Sequence, residues 1–357
     1  MPKSIATSES GSNSTFKSTA DLSLCSPQPI SITPDWKLQL SQAVSSIDEL
    51  LACVNLSTKQ LSVSQQASNE FALKVPKPFI ARMQPGDPQD PLLLQVLPVV
   101  AETLAADGYN HDPLEESHHN PIAGIVHKYA NRLLLVISPA CAINCRYCFR
   151  RHFPYDENRQ SRAQWQSALD YIRADNNINE VIYSGGDPLA ANDNFLAWLT
   201  QQIADIAHVK RLRIHTRLPV VIPARVDQAL LNWATATRLK VIVVLHINHA
   251  NEIDAEVVTA IEKLLDAGIQ VLNQSVLLRG VNDSATTLAE LSEALFDCGV
   301  MPYYLHLCDP VAGAQHFDLD EAVARQIYTQ LQALLPGFLL PKLVREIPGS
   351  RSKTIIT

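Results

Sequence analysis

The sequence has no excess of basic residues, no apolar run of membrane-spanning length, no charged-then-apolar leader and no cysteine pattern suited to a disulfide framework. Lys and Arg number 29 against 36 Asp and Glu, a net charge of -7. The electrostatic footprint of a nucleic-acid binder is therefore missing, and no nucleic-acid partner is expected. Without a spanning run or a leader, neither membrane insertion nor export is expected, which points to a cytoplasmic protein. The 7 cysteines are an odd count, and three of them fall too close together for a disulfide framework. A reducing compartment would leave Cys25, Cys53, Cys298 and Cys308 as free thiols. No internal repeat is present beyond an alternation of strands and helices.

What is present is a 46% hydrophobic chain of 357 residues, enough for one large domain or about two ordinary ones. Residues 1–30 are rich in Ser and Thr, lack apolar periodicity and read as a disordered tail. From Asp35 apolar residues recur at helical intervals as far as Val54, and shorter helical stretches follow at 71–83 and 92–97, broken by prolines. Residues 31–120 thus read as a helical N-terminal region. After Pro121 strands and helices alternate at the spacing of βα units. Strands are expected at 133–137, 180–184, 211–215, 240–246, 270–276 and 303–307. Helices are expected at 165–174, 195–204, 226–235, 255–267, 287–298 and 321–335. Six units fall short of a closed eight-unit barrel. The fold class is therefore α/β, a partial (β/α)6 barrel over residues 121–335 with an N-terminal helical preamble, its loops gathered at the strand carboxyl ends. Residues 336–357 form a C-terminal segment containing Lys353.

The first expected strand leads into Cys141-Ala-Ile-Asn-Cys145-Arg-Tyr-Cys148. Three thiolates can hold three irons of a cubane cluster and leave the fourth iron open to a ligand that is not protein. The rival is zinc, with His152 completing a Cys3His set. Arg146, Arg150, Arg151 and His152 beside the thiols suit an anionic small ligand. Ser184-Gly185-Gly186-Asp187 follows the second strand. Its glycines permit close backbone approach with amides available, and Asp187 adds a carboxylate. Taken alone, this stretch would be a tight strand-to-helix turn.

The C-x3-C-x2-C spacing, with Tyr147 before the last cysteine, resembles the radical S-adenosylmethionine (SAM) signature. Further segments narrow the resemblance: His215-Thr-Arg-Leu-Pro-Val-Val221, His246-Ile-Asn-His-Ala-Asn-Glu252, Asn273-Gln-Ser-Val-Leu-Leu-Arg-Gly-Val-Asn-Asp283, and Pro302-Tyr-Tyr304 through Cys308-Asp309. In that order they resemble the lysine 2,3-aminomutase family over residues 121–357. Within it the chain is similar to the EpmB branch, which makes (R)-β-lysine for modifying translation elongation factor P (EF-P). That likeness rests on Asn144-Cys-Arg-Tyr-Cys-Phe-Arg-Arg-His-Phe-Pro-Tyr155, Phe71-Ala-Leu-Lys-Val-Pro76 and Asp112-Pro-Leu-Glu-Glu116. The stand-alone enzymes carry a cysteine-bearing, zinc-binding C-terminal extension that helps assemble subunits and is not matched here, so the resemblance implies no subunit arrangement.

The resemblance implies an isomerase with a 4Fe-4S cluster on Cys141, Cys145 and Cys148. It implies SAM at Ser184, Gly185, Gly186, Asp187, His246 and Gln274, and pyridoxal phosphate (PLP) on Lys353 with Tyr129 and Arg132. Ser350, Arg351 and Ser352 replace glycines of the family's segment before that lysine. The implied partners are L-lysine, an electron donor, and downstream the EF-P lysine ligase and EF-P. A lysine substrate needs a cation for its carboxylate and an anion for its distal ammonium; Arg150, Asp309 and Glu346 match those family positions. Taken singly, Tyr129 would be a core aromatic, Lys353 a solvated tail lysine and each acid a cap or surface residue. Two rivals stand: a catabolic amino-acid 2,3-aminomutase, and a non-catalytic zinc or iron-sulfur interaction module.

Overall fold

The computed structural model describes residues 35–158 and 160–356; the Ser/Thr-rich stretch 1–30 and Cys25 lie outside them. Nine strands form one sheet in chain order. They are β1 Ile125–Tyr129, β2 Arg132–Ser138, β3 Glu180–Gly185, β4 Arg211–Thr216, β5 Lys240–His246, β6 Gln270–Val276, β7 Met301–His306, β8 Lys342–Arg345 and β9 Thr354–Ile355. Strands β2 to β8 pair in parallel, and β1 and β9 are added antiparallel at the two ends. All six expected strands are present. The three unexpected ones are short: β1, at one edge, folds back on β2; β8 has four residues ending at Arg345 and lies between β7 and β9; and β9, at the other edge, has two residues.

Five short helices come first: α1 Trp36–Ser41, α2 Ile47–Cys53, α3 Gln65–Glu70, α4 Lys77–Ile80 and α5 Pro91–Leu94. The helical period starting at Asp35 is split because Val44 forms an antiparallel bridge with Val75, after which Ser46 caps a new helix. The crossovers are α6 Arg162–Ala174, α7 Asp193–Ala204, the one-turn α8 Leu218–Val221 followed by α9 Gln228–Thr235, α10 Ala255–Asp266, α11 Ala285–Asp297 and α12 Glu321–Leu334. Ser161, Asn192, Asp227, Asp254, Ser284 and Asp320 each accept a first-turn amide and so fix where the long crossover helices begin.

Side chains alternate across a strand, and this alternation places the site. Leu133, Leu135, Val181, Tyr183, Leu212, Ile214, Val243 and Leu245 are buried in the main core. The intervening Leu134, Ile182, Ser184, Arg213, His215, His246, Gln274, Tyr304 and His306 line a cavity of about 710 Å3. A closed eight-stranded barrel fills its interior with branched apolar side chains; this one keeps a hollow lined by both polar and apolar side chains. Leu50, Leu51, Phe79 and Leu92 of the N-terminal region join the main core. Burying each is worth about 1.5–3 kcal/mol, which holds that region against the barrel. No described helix is long and apolar enough to cross a membrane.

Candidate active site

Cys141, Cys145 and Cys148 lie on the loop leaving β2, all three as free thiols on the cavity wall. The N-terminal region grips this loop through its backbone. Lys74 donates to Cys141 O at 2.9 Å, the Asn144 side chain to Ala72 O at 2.8 Å, and Arg146 N to Gln95 O at 2.9 Å. Burial pushes the Cys148 thiol up to about 11 and Cys141 upward as well, each made worse by neighbouring thiols. Three sulfurs on one short loop, two of them held from ionising by burial, are a donor set suited to a cationic metal group, which would stabilise the thiolates.

The neighbouring cations are not free for a ligand, contrary to expectation. Arg146 donates to Glu102 at 2.6 Å and to Ala67 O at 2.9 Å, and Arg151 donates to the same Glu102 at 2.9 Å and to Gly313 O at 3.0 Å. His152 is engaged with Ala312 O at 3.1 Å and stacks on His111 at 4.1 Å, and it does not line the cavity that the three thiols border. Among the described residues no three His, Cys, Asp or Glu side chains converge where they could hold a single metal ion. Zinc gathers its ligands around one ion, whereas a cubane cluster offers a separate iron to each thiolate. The arrangement fits the cluster.

At the glycine turn, Gly185 has φ +121°, and a Cβ there would lie 2.6 Å from Ser138 O; at Gly186 it would lie 2.7 Å from Ala140 O. Both glycines are thus needed for the turn to nest against the loop from β2. The amides of Gly186 and Asp187 donate to Ser138 O and Ala140 O, both at 2.8 Å. The turn therefore does not offer those two donors to a ligand, a correction to the expectation. Asp187 is likewise engaged within the protein, accepting from Thr216 Oγ1 at 2.7 Å, Arg217 N at 2.8 Å, and Leu189 N and Leu218 N at 3.0 Å. Burial raises its pKa and these bonds oppose the rise. Its carboxylate ties β3 to β4 beside the cavity.

Arg150 is buried, and Glu116 takes its Nε and Nη2 edge in two 2.7 Å hydrogen bonds while Nη1 donates to Ser184 Oγ at 2.9 Å. Burial alone would lower the Arg150 pKa; Glu116 outweighs it and raises it. The two-oxygen grip expected for a ligand carboxylate is thus already made on that edge by Glu116. Lys128 Nζ lies 4.0 Å from Glu116 and 2.9 Å from Glu346, whose other oxygen accepts from Lys353 Nζ at 2.7 Å. Despite burial, the two lysines hold Glu346 down at about 2. Asp309 lines the same region without a side-chain hydrogen bond among the described residues, and burial pushes it up to about 7, against the pull of Lys353. Arg132 lies over the Tyr129 ring at 4.2 Å, and Lys353 sits 5.9 Å from the Tyr304 ring centre.

All of the expected site residues border this one cavity. His246 faces Tyr147 Oη at 3.2 Å and is kept neutral by burial, its pKa near 3. Gln274 is its register partner on β6. The sequence reading missed Glu116, Lys128, Arg213, His215 and His306, and the buried group of Gln95, Arg217, Asn248 and Glu252. Glu116 lies in Asp112-Pro-Leu-Glu-Glu116, but its pairing with Arg150, 34 positions away, leaves no signal along the chain. Lys353 beside Glu346 and Tyr304, with Arg132 across the hollow, suits an aldehyde cofactor carrying a phosphate.

Residues 135–291 match the Radical SAM superfamily. The chain is 52% identical over 321 residues to an L-lysine 2,3-aminomutase of Escherichia coli K12, covering 90% of this chain and 94% of that protein. It is 51% identical to the enzyme of the same name from Haemophilus influenzae, with 90% and 95% covered, and 33% identical to that of Clostridium subterminale, with 90% and 77% covered. With the thiol loop, the glycine turn and the C-terminal lysine on one cavity, the chain belongs to the lysine 2,3-aminomutase family of radical SAM enzymes.

Proposed function

We propose that this enzyme converts L-lysine to (R)-β-lysine in the cytoplasm, and that a downstream ligase uses the product to modify EF-P. The observation that carries this reading is the single cavity onto which the three-thiol loop, Arg150, Asp309, Glu346 and Lys353 all open. The cluster would be held by Cys141, Cys145 and Cys148, SAM by the glycine turn with His246 and Gln274, and PLP by Lys353 with Tyr129 and Arg132. When bound, the reduced cluster and SAM supply a carbon radical that abstracts hydrogen, and PLP supplies a π system through which nitrogen passes between adjacent carbons. An external electron donor completes the requirement.

The protein's own residues bind and orient. Arg150 meets the substrate carboxylate through the guanidinium edge that Glu116 leaves open. Asp309 and Glu346 accept the distal ammonium, which excludes an acidic substrate by like-charge repulsion. Lys353 would hold PLP through Nζ, the same atom that donates to Glu346 here. His246, neutral at physiological pH, serves as a hydrogen-bonding side chain without adding charge.

The test is an anaerobically reconstituted sample supplied with reductant, SAM, PLP and L-lysine, read as (R)-β-lysine formed. Cys145→Ala should lose cluster and SAM cleavage while the barrel stays folded. Lys353→Ala should lose PLP trapped by borohydride at that position, and trapping on another lysine would overturn the role given to Lys353. Stoichiometric zinc with full activity would overturn the cluster. Adding the ligase and EF-P, with mass measurement of EF-P, separates this reading from a catabolic aminomutase.

A further inference from the structure

Arg217 follows β4 directly and is buried beneath the thiol loop. Its Nη1 donates to Cys145 Sγ and to Tyr147 Oη, both at 2.7 Å; its Nη2 donates to Gln95 Oε1 at 2.6 Å and Glu252 Oε2 at 2.9 Å. Glu252 is fully buried and also accepts from Gln95 Nε2 at 3.1 Å and Asn248 N at 2.9 Å. Asn248 in turn donates to Gln95 Oε1 at 3.0 Å and Tyr147 Oη at 2.7 Å. The other two guanidiniums flanking the loop differ: Arg146 and Arg151 direct their hydrogen bonds to Glu102 and backbone carbonyls. Arg217 places a charged donor on a sulfur of the metal-binding loop.

We infer that Arg217 and Glu252, held in register by Gln95, are positioning residues that set the reduction potential of the cluster bound at Cys141, Cys145 and Cys148. This deepens the proposed function and rests on it. The couple is a one-electron one: an external one-electron donor adds one electron to the oxidised cluster, and no covalent bond forms or breaks. Hydrogen bonds to sulfur and local net charge set such potentials. The added negative charge is stabilised by the guanidinium on Cys145 and opposed by the carboxylate behind it. Both ions are buried, so solvent screens neither strongly. The pair therefore works in opposite directions on one couple.

The experiment is a redox titration of the reconstituted holoenzyme without SAM, following the reduced cluster by electron paramagnetic resonance, with iron and sulfide quantified in each variant. Arg217→Gln should make the cluster harder to reduce and Glu252→Gln easier. Each should change the ratio of reduced to oxidised cluster at fixed potential by roughly tenfold, about 59 mV for one electron. Arg217→Lys, which keeps the charge, should return most of the way to the parent. Shifts of the same sign, or parental potentials in fully loaded variants, would overturn the inference. If Arg217→Gln does not load, the opposing result from Glu252→Gln and the recovery in Arg217→Lys decide. Failure of the parent itself to take up iron and sulfide is the separate failure of the proposed function.

Discussion

Around the thiol loop each buried guanidinium has its counter-charge inside the protein: Glu102 answers Arg146 and Arg151, and Glu252 answers Arg217. Around Lys353, Glu346 is likewise shared between two lysines, but Asp309 has no ion pair among the described residues and keeps a carboxyl raised to about 7. The first region is closed by elements far apart in the chain, and every guanidinium and carboxylate named there has a charged partner within the protein. The second holds an acid short of a cation, the state expected of a pocket that waits for an ammonium. A buried ion pair is costly to break, so the first arrangement suits a permanent scaffold. A partly paired acid can exchange partners at little cost, which suits the second to substrate turnover.

The sharpest way to break the comparison is Glu102→Gln, which keeps shape but strips the counter-charge from two buried guanidiniums. Stability should fall by about 3–5 kcal/mol, seen as a large drop in Tm and poor cluster loading. A parental Tm would mean that the thiol end is not held by charge. Next comes Asp309→Asn, expected to weaken lysine binding by about 1.5–3 kcal/mol with iron and PLP contents unchanged. Affinity equal to that of the parent would place Asp309 outside the ammonium site.

A pH series sharpens the same point. The folded Asp309 is raised to about 7, so its ionisation costs stability progressively as pH climbs from the ordinary carboxylate range to 7. Lysine binding needs the ionised form, so affinity should rise with pH up to about 7 and then level off. Asp309→Asn should flatten that rise; an unchanged profile would assign it to another group. Glu346, at about 2, stays ionised throughout that window and adds no slope. The smallest effect is expected from Arg173→Ala, whose pair with Asp170 is 39% and 63% exposed. It should change stability by less than about 0.5 kcal/mol, and a larger loss would show that exposure is the wrong measure of these pairs.

Local pattern made much of this legible. Strands β2 to β7 and the crossover helices followed from apolar periodicity, and the thiol loop and glycine turn from spacing over a few residues. Strands β1, β8 and β9 were not legible, because strands of two to five residues carry too few alternations to establish a period. Asp187 shows the limit at the site: its type suggested a ligand contact, but four donors from the β3 and β4 turns converge on it.

The sequence by itself determined the βα order, the three thiols, the lysine after the last apolar stretch and the opposite charges that a lysine substrate requires. Only the tertiary structure decided which charges are already answered. Arg150 meets Glu116 across 34 positions, Arg217 meets Glu252 across 35, Arg146 meets Glu102 across 44, and Lys128 meets Glu346 across 218. Counter-charges chosen by proximity in space leave no period or spacing along the chain, because nothing local in the backbone couples one partner to the other.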